Sequence, residues 1–143
     1  MIKFSINQPS KNKKYTKRVG AYALIKNNEG LIAVIKTDTG YFLPGGGVEG
    51  KEGIEECLKR ECIEEIGIEV RDLTLFAQGN YFFYSTTFNF NMESVGNFFV
   101  CKINKILSIP TEDGHELVWM RLTKAVELLY LASQQEVVRL FEG

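Results

Sequence analysis

The sequence lacks the features that mark several large classes of protein. Among its 143 residues there is no apolar run near the ~18 residues that a membrane helix needs, and residues 1–6 lack the apolar core of a signal peptide. The formal net charge is −1, so no global field favours nucleic acid or an anionic membrane as a partner. No repeat, linker or low-complexity segment interrupts the chain, which predicts a single domain over residues 1–143.

Cysteine and histidine are scarce as well. The three cysteines have no zinc-ligand spacing, and each lies among apolar residues: Cys57, Cys62 and Cys101. We therefore expect buried free thiols in a reducing cytoplasm rather than disulfides. The only histidine, His115, is more typical of a loop or structural residue than of a catalyst.

What the chain does have is a glycine-rich loop followed by an acidic helix. Three consecutive glycines, Gly45–Gly47, leave the backbone free to take φ > 0 and to approach a ligand closely. The helix is predicted to run from near Gly53 to Gly67, because Gly67 suits the left-handed residue that closes a helix.

The acidic side chains of this helix lie on its apolar side. On a wheel of about 100° per residue, Glu61 and Glu65 fall inside the apolar arc and Glu64 falls at its edge. The apolar members of that arc, which must face a core, are Ile54, Cys57, Leu58 and Cys62. The i, i+3, i+4 spacing makes the three carboxylates converge, and like charges beside a core repel and lose hydration. A hard dication such as Mg²⁺ or Mn²⁺ would relieve that repulsion.

A solvated acidic face is the plain alternative for such a cluster. Two features favour a metal site instead. The acids share the apolar arc rather than opposing it, and a glycine loop lies directly upstream, where backbone groups can meet a phosphate or a metal.

Strand-forming patterns flank the helix, and two further helices are predicted near the end. Residues 19–26 and 31–36 predict a β-hairpin, and a short strand covers residues 41–43. After the helix we expect a meander with strands at 69–78 and 97–106 and a polar loop at 91–96. An acidic loop at 111–116 precedes a strand at 117–120, and Thr123 and Ser133 fit N-caps for helices at 124–130 and 134–141.

The stretch from Gly46 to Ile68 resembles the Nudix box. That box is a glycine, five residues, a glutamate, seven residues, Arg-Glu, an apolar residue, any residue, Glu-Glu, any residue, a glycine and an apolar residue. Every fixed position is filled here: Gly46, Glu52, Arg60, Glu61, Glu64, Glu65, Gly67 and Ile68. Cys62 stands where the family usually has Leu or Val, a mild change because Cys buries readily. The resemblance implies an α+β fold, the Nudix α/β/α sandwich with a mixed β-sheet between helices.

The resemblance also implies a reaction and a cofactor. Nudix hydrolases use Mg²⁺ or Mn²⁺ to hydrolyse a diphosphate bond in a nucleoside diphosphate linked to another moiety X, by water attack on phosphorus. The implied metal ligands are Glu61, Glu64, Glu65 and the Gly46 carbonyl. Glu52 and Arg60 are implied to pair and to fix the loop to the helix, with Arg60 on the helix flank away from the metal patch.

Two positions compete for the catalytic base, because family members use either a box glutamate or an acid in a later loop. Here those are Glu61 and Glu116, with Glu112 behind Glu116. The alternative for both loop acids is that they are exposed surface residues without a catalytic role.

Two residues are candidates for substrate binding. Arg18 adjoins a strand that should end near the cleft and could steer a polyphosphate, although its basic neighbourhood also fits a solvated arm. Tyr84 lies about where dinucleoside polyphosphate hydrolases of the family often have a tyrosine. Its many aromatic neighbours fit sheet packing equally well.

The expected partner is a small nucleotide or dinucleotide in the cytoplasm, with no membrane and no stable nucleic-acid complex. Family members often form homodimers, which leaves that assembly open. Two alternatives are compatible with the same residues: a non-catalytic nucleotide-binding or regulatory Nudix module, and an acidic surface helix on an unrelated α/β domain. The complete set of box acids argues against the regulatory module, since such modules usually lose them.

Overall fold

The computed structural model of the chain describes residues 1–107 and 112–143, so Thr111, at the start of the predicted acidic loop, lies outside the described part. Eight strands and three helices follow one another in these described ranges. They are β1 (Ile2–Ile6), β2 (Thr16–Ile25), β3 (Ile32–Lys36), β4 (Tyr41–Phe42), β5 (Gly45–Gly47), α1 (Ile54–Ile66), β6 (Ile68–Ser85), β7 (Phe90–Ile106), β8 (Glu116–Met120), α2 (Leu122–Leu128) and α3 (Ala132–Glu142).

The strands form two sheets. The larger sheet is mixed and has the order β1-β6-β7-β2-β5, in which β1 runs parallel to β6 and β2 runs parallel to β7. The smaller sheet, β4-β3-β8, is antiparallel. These sheets occupy the middle of the molecule, and the helices cover them.

Both faces of the sheets are apolar, which explains why helices lie on each side. Along β2, Ala21 and Ala23 pack in the cluster that contains the buried side chains of α1, whereas Tyr22 and Leu24 face the cluster built with α2 and α3. Successive strand residues point to opposite faces, so one strand supplies both cores. The predicted α+β sandwich with a mixed sheet is confirmed.

Helix α1 is where the sequence placed it. Gly67 takes φ 63° and ψ 30°, and its N–H donates to the carbonyls of Cys62 and Ile63, which closes the helix in the expected left-handed way. The buried residues of α1 are Cys57, Leu58, Cys62 and Ile66. Ile54 was expected in the core but lies at the exposed edge of the helix. All three cysteines are buried and free, as expected.

The predicted hairpin of residues 19–26 and 31–36 is wrong. The turn exists, with Asn27 N–H donating to the Leu31 carbonyl, but only one bridge, Lys26 to Ile32, joins the two segments. Beyond it β2 pairs with β7 and β5, while β3 pairs with β4 and β8 in the other sheet. Local turn residues therefore fixed the reversal but not the strand partners.

The predicted loop at 91–96 is also wrong. The strands β6 and β7 form one long antiparallel hairpin, and their pairing continues from Ser85 and Phe90 back through Glu93 and Gly96. The turn lies between the two strands, where Asn89 takes φ 59°. The polar residues misled the prediction because they are paired within the sheet: Asn80 Nδ2, for example, donates to Glu93 at 2.9 Å.

The predicted N-caps are wrong as well. Helix α2 begins at Leu122 after Arg121, and α3 begins at Ala132 after Leu131, so Thr123 and Ser133 lie inside the first turns. Ser133 is buried there rather than capping. None of the described helices is long and apolar enough to cross a membrane.

Candidate active site at the glycine strand and the acidic helix

The glycine-rich segment forms a strand rather than an open loop. Strand β5 pairs antiparallel with β2, in the register Gly20 to Gly47, Ala21 to Gly46 and Tyr22 to Gly45. Gly45 has φ 144°, and a Cβ on it would lie 2.1 Å from the Ala21 carbonyl oxygen. Only glycine fits that close approach, which brings the backbone under α1.

Glu61 packs directly on this glycine strand. A Cβ on Gly46 would lie 2.7 Å from Glu61 Cδ, so the absent side chain is what makes room for the carboxylate. The Glu61 side chain is only 14% exposed. Burial raises the pKa of its carboxyl group, while the hydrogen bond and charge of Arg60 act in the opposite direction.

Glu65 lies one turn further along and also faces the glycine strand. Its Oε1 accepts a hydrogen bond of 2.8 Å from the Gly45 N–H, and its side chain is 12% exposed. Burial raises the pKa of Glu65 to about 8, against the effect of the Gly45 hydrogen bond, and the charges of Glu61, Glu112 and Glu64 add to the rise. Two of the three predicted acids, Glu61 and Glu65, therefore lie against the glycine strand at the rim of the core, whereas Glu64 is exposed.

Arg60 and Glu52 form the expected pair. Arg60 donates from Nε at 3.0 Å and from Nη2 at 2.7 Å to the two oxygens of Glu52, and the pKa of Glu52 falls to about 2, chiefly because of this hydrogen bonding. Arg60 Nη2 also donates to the Gly47 carbonyl at 3.4 Å. The fork therefore ties the helix to the segment around β5.

The expectation that Arg60 lies away from the acidic patch is wrong. Its Nη1 donates to Glu61 at 2.8 Å and to Glu64 at 3.2 Å. A helical wheel places only the Cβ, and the long arginine side chain reaches back across the face. Arg60 thus pairs with Glu52 and also with two of the predicted metal ligands, Glu61 and Glu64.

The donor set suits a hard dication. Glu61, Glu64 and Glu65 offer carboxylate oxygens, and the Gly46 carbonyl, which accepts from Cys57 Sγ at 3.5 Å, belongs to the residue against which Glu61 packs. Glu61 and Glu65 are largely buried acids whose pKa values are raised chiefly by burial, so a bound cation would stabilise their charged forms. Among the described residues, no group of three or more His, Cys, Asp or Glu side chains is close enough together to hold a metal ion. Glu61 and Glu64 instead accept hydrogen bonds from Arg60.

Of the two acids predicted to lie in the loop before β8, Glu112 rather than Glu116 faces the box acids. His115 Nδ1 lies 3.8 Å from Glu65 Oε2 and 3.7 Å from Glu112 Oε2, which places all three groups together. Glu116 is exposed and belongs to β8, where its neighbour Leu117 packs towards the α1 core. Strand alternation therefore directs Glu116 to the opposite face.

A cavity of about 460 Å³ opens beside the glycine strand. Its lining includes Gly45, Gly46 and Glu65 on one side and His115 and Gln134 on another. The sequence prediction missed Tyr22, Asp38, Phe42, Leu131 and Gln134, all of which line it. Gln134 is buried, and its Oε1 accepts from the Leu43 N–H at 2.8 Å. A glutamine within an amphipathic helix gives no local signal of such a position.

The structure separates the two predicted substrate-binding residues. The Arg18 guanidinium lies 4.4 Å from the centroid of the Phe88 ring, and a Cβ on Gly47 would be 3.3 Å from its Nη2, so Arg18 borders the glycine strand. Tyr84 is 56% exposed. It lies on β6 six residues beyond Gln78, and Gln78 is linked to Gly46 by cross-strand pairing through Asn97 and Ala21. The separation of Tyr84 from Gln78 is about 20 Å along β6, so the structure does not bring Tyr84 to the site.

Comparison with known proteins agrees with the fold. The NUDIX domain profile matches residues 16–141. A MutT NUDIX hydrolase from Burkholderia pseudomallei is 24% identical, with a TM-score of 0.67 over 87% of this chain and 97% of that one. The MutT protein from Methanosarcina mazei Go1 is 21% identical, with a TM-score of 0.68 over 90% and 95% of the two chains.

A third similar structure comes from a study of MutT from Aliivibrio salmonicida and Vibrio cholerae, at 20% identity and a TM-score of 0.65 over 87% of this chain and 95% of that one. No curated protein sequence matches the chain. The match over residues 16–141 excludes the alternative of an acidic helix on an unrelated domain. The family profile shows that the chain belongs to the Nudix hydrolase family, and the solved MutT structures share its fold.

Proposed function

We propose that this Nudix hydrolase cleaves a diphosphate bond in a nucleoside diphosphate linked to another moiety X, by water attack on phosphorus and with Mg²⁺ or Mn²⁺. The observation that carries the proposal is the placement of Glu61 and Glu65. Both carboxylates are largely buried, and both contact the glycine strand, where a 460 Å³ cavity begins. Burying two acids side by side is costly unless a cation neutralises them.

Glu61, Glu64, Glu65 and the Gly46 carbonyl are the residues that would hold the metal. When bound, Mg²⁺ or Mn²⁺ neutralises phosphate charge and lowers the pKa of bound water. The chain's own contribution is to fix the donors. The Gly45 N–H orients Glu65, and Arg60, held by Glu52, orients Glu61.

We assign the role of general base to Glu61 in preference to Glu116. Burial raises the pKa of Glu61, which makes it a better proton acceptor than an ordinary exposed carboxylate. It also lies against the glycine strand that borders the cavity. Glu116 lies on the other face of β8, and Glu112, the nearer loop acid, is the second candidate.

Arg18 is proposed to bind substrate phosphate. Its guanidinium is positioned over Phe88 and beside Gly47, where it can donate to an anion on the outer side of β5. The cavity with Phe42 and Gln134 is proposed to take the nucleoside, since it offers an aromatic ring and a buried amide. The candidate substrates are nucleoside triphosphates, dinucleoside polyphosphates, ADP-ribose and sugar nucleotides.

The metal assignment is tested by Glu64→Gln and Glu65→Gln. Each change removes a carboxylate charge but keeps the side-chain volume, so we expect kcat to fall roughly 10³-fold or more, since several kcal/mol of charge stabilisation are lost. Phosphate release over a nucleotide panel with Mg²⁺ and Mn²⁺ measures this. Glu56→Gln, an exposed acid on the same helix, is the matched control. Full activity in both test variants would end the assignment.

A further inference from the structure

A second cavity opens where the two sheets diverge. Strand β2 ends at Ile25, while its neighbour β7 continues to Ile106, and β3 leaves for the smaller sheet. The gap is a cavity of about 740 Å³, and its lining shares no residue with the cavity at the glycine strand. That volume is within the ~300–1,000 Å³ range of small-molecule sites.

The lining of this second cavity carries positive charge and no carboxylate. Lys26, Arg71 and Lys102 contribute cations, and Asn27 and Asn28 contribute amides. Arg71 and Lys102 are direct cross-strand partners, an arrangement in which like charges repel. Arg71 pairs with Asp72 at 2.5 Å, but in the described part of the chain neither Lys26 nor Lys102 forms an ion pair.

The remaining lining is apolar and partly aromatic. Trp119 and Phe141 form walls, and Lys26 Nζ lies 4.7 Å from the centroid of the Phe141 ring, a cation–π contact that holds the ammonium group at the cavity. Leu24, Val100 and Ile103 contribute further apolar surface. A ligand that suits this lining has an anionic end and a planar apolar body.

The backbone adds hydrogen-bonding groups to the same place. The pairing of β2 with β7 stops at Cys101, so from Lys102 onward β7 has no strand partner on that side among the described residues. Its N–H and C=O groups there are available to a bound molecule.

We propose that this second cavity is a nucleotide-binding site separate from the active site. The phosphate lies among Lys26, Arg71 and Lys102, and the base packs against Trp119 and Phe141. A phosphate supplies a counter-charge to Lys26 and Lys102, which form no ion pair among the described residues, and adds a second anion beside Arg71; the base covers the apolar wall. The charge and the ring chemistry favour this ligand over an acidic peptide, which would leave the aromatic wall uncovered.

The protein carries its own reporter for this site, because Trp119 is the only tryptophan in the chain. The test is a titration of the 143-residue chain with adenosine monophosphate in EDTA, followed by Trp119 fluorescence. Binding at the second cavity is expected to quench or shift the emission saturably, and inorganic pyrophosphate, which has no ring, is expected to bind more weakly. No saturable change up to millimolar nucleotide would overturn the proposal.

Two lysines on one strand provide the matched variants. Lys102→Gln removes a charge that lines the second cavity, whereas Lys105→Gln removes the same charge from a position that does not line it. The dissociation constant is expected to rise on the order of tenfold in Lys102→Gln, the effect of one lost charged hydrogen bond, and to stay unchanged in Lys105→Gln.

The third variant locates the binding event. Arg18→Gln alters the border of the active site and is expected to leave the fluorescence titration unchanged. Equal affinities in Lys102→Gln and Lys105→Gln, or a loss confined to Arg18→Gln, would overturn the proposal. A lower melting temperature in Lys102→Gln with unchanged nucleotide affinity would assign the lysine a purely structural role and would overturn it as well.

Discussion

Helix α1 and the loop before β8 both bring carboxylates to the same region, yet they hold them differently. Glu61 and Glu65 are 14% and 12% exposed, and each contacts a backbone atom or a space that only glycine leaves open. The Glu112 side chain is 51% exposed and its Oε2 lies 3.7 Å from His115 Nδ1, whereas Glu116 lies on another face of β8.

The difference shows which acids are organised before any ligand binds. A carboxylate fixed by burial and backbone contacts needs no further ordering when a metal or phosphate binds, whereas an exposed one loses rotamer freedom at that moment. Burial also raises the pKa values of Glu61 and Glu65. The α1 acids should therefore dominate the chemistry and the loop acids should modulate it.

Replacement of the proposed general base should give the largest difference between the helix acids and the loop acids. Glu61→Gln removes a proton acceptor but keeps the packing on Gly46, so kcat should fall by about 10²–10⁴-fold, the usual contribution of general base catalysis. Glu116→Gln should leave kcat within a factor of about two, because that side chain faces away. Steady-state kinetics on the best substrate measures both. The reverse ranking would transfer the base to the loop.

Gly46→Ala tests whether the room beside the glycine strand is what positions Glu61. The new Cβ would lie 2.7 Å from Glu61 Cδ and must displace it, so we expect a loss of roughly 10–100-fold in activity or metal affinity, as for other changes that disturb the orientation of a metal ligand. Gly53→Ala is the control, since its Cβ would meet only the flexible end of Glu56 at 3.3 Å. Unchanged metal binding in Gly46→Ala, by calorimetry, would contradict this account.

The raised pKa of Glu65 predicts a pH-dependent stability of the metal-free protein. The carboxyl group titrates near 4.5 when unfolded and at about 8 when folded, so between these values the native state holds a proton that the unfolded state has lost. Stability should therefore fall as pH rises through that window, by a few kcal/mol at most. Melting temperatures in EDTA should show the slope in the wild type and a smaller slope in Glu65→Gln. Equal slopes in the wild type and in Glu65→Gln would refute the assignment of this pH dependence to Glu65.

The same contrast explains what could be predicted from the sequence. The α1 acids could be found because the helical period, the closing Gly67 and the upstream glycines all lie within one local stretch. The side of Arg60 was mistaken because the wheel describes Cβ positions, whereas a long side chain reaches across a face. The cavity residues Tyr22 and Gln134 come from β2 and α3, and only the tertiary fold brings them together.

The strand partners were the least predictable part of the fold. The turn at Asn27 was visible, but the departure of β3 into another sheet depends on its pairing with β8, more than eighty residues later. Polar residues at 91–96 indicate a loop when each strand is considered alone. They belong to a strand because Asn80 and Gly79 face them across a long hairpin. Such pairings carry no local signature, so alternation alone could not reveal them.

The smallest expected effect comes from Glu112→Gln. The charge of Glu112 raises the pKa of Glu65. Removal of that charge should therefore lower the pKa of Glu65, and the pH range over which the metal-free protein loses stability should move to lower pH. Because Glu112 is exposed, the interaction is worth roughly 1 kcal/mol or less, and kcat should change less than about fivefold. Salt screens exposed charges, so the shift should shrink between low and high ionic strength while the Glu61→Gln loss persists. A hundredfold or larger loss of kcat in Glu112→Gln at both ionic strengths would instead identify this loop acid as the base, and the exposed loop would then contribute more than the helix.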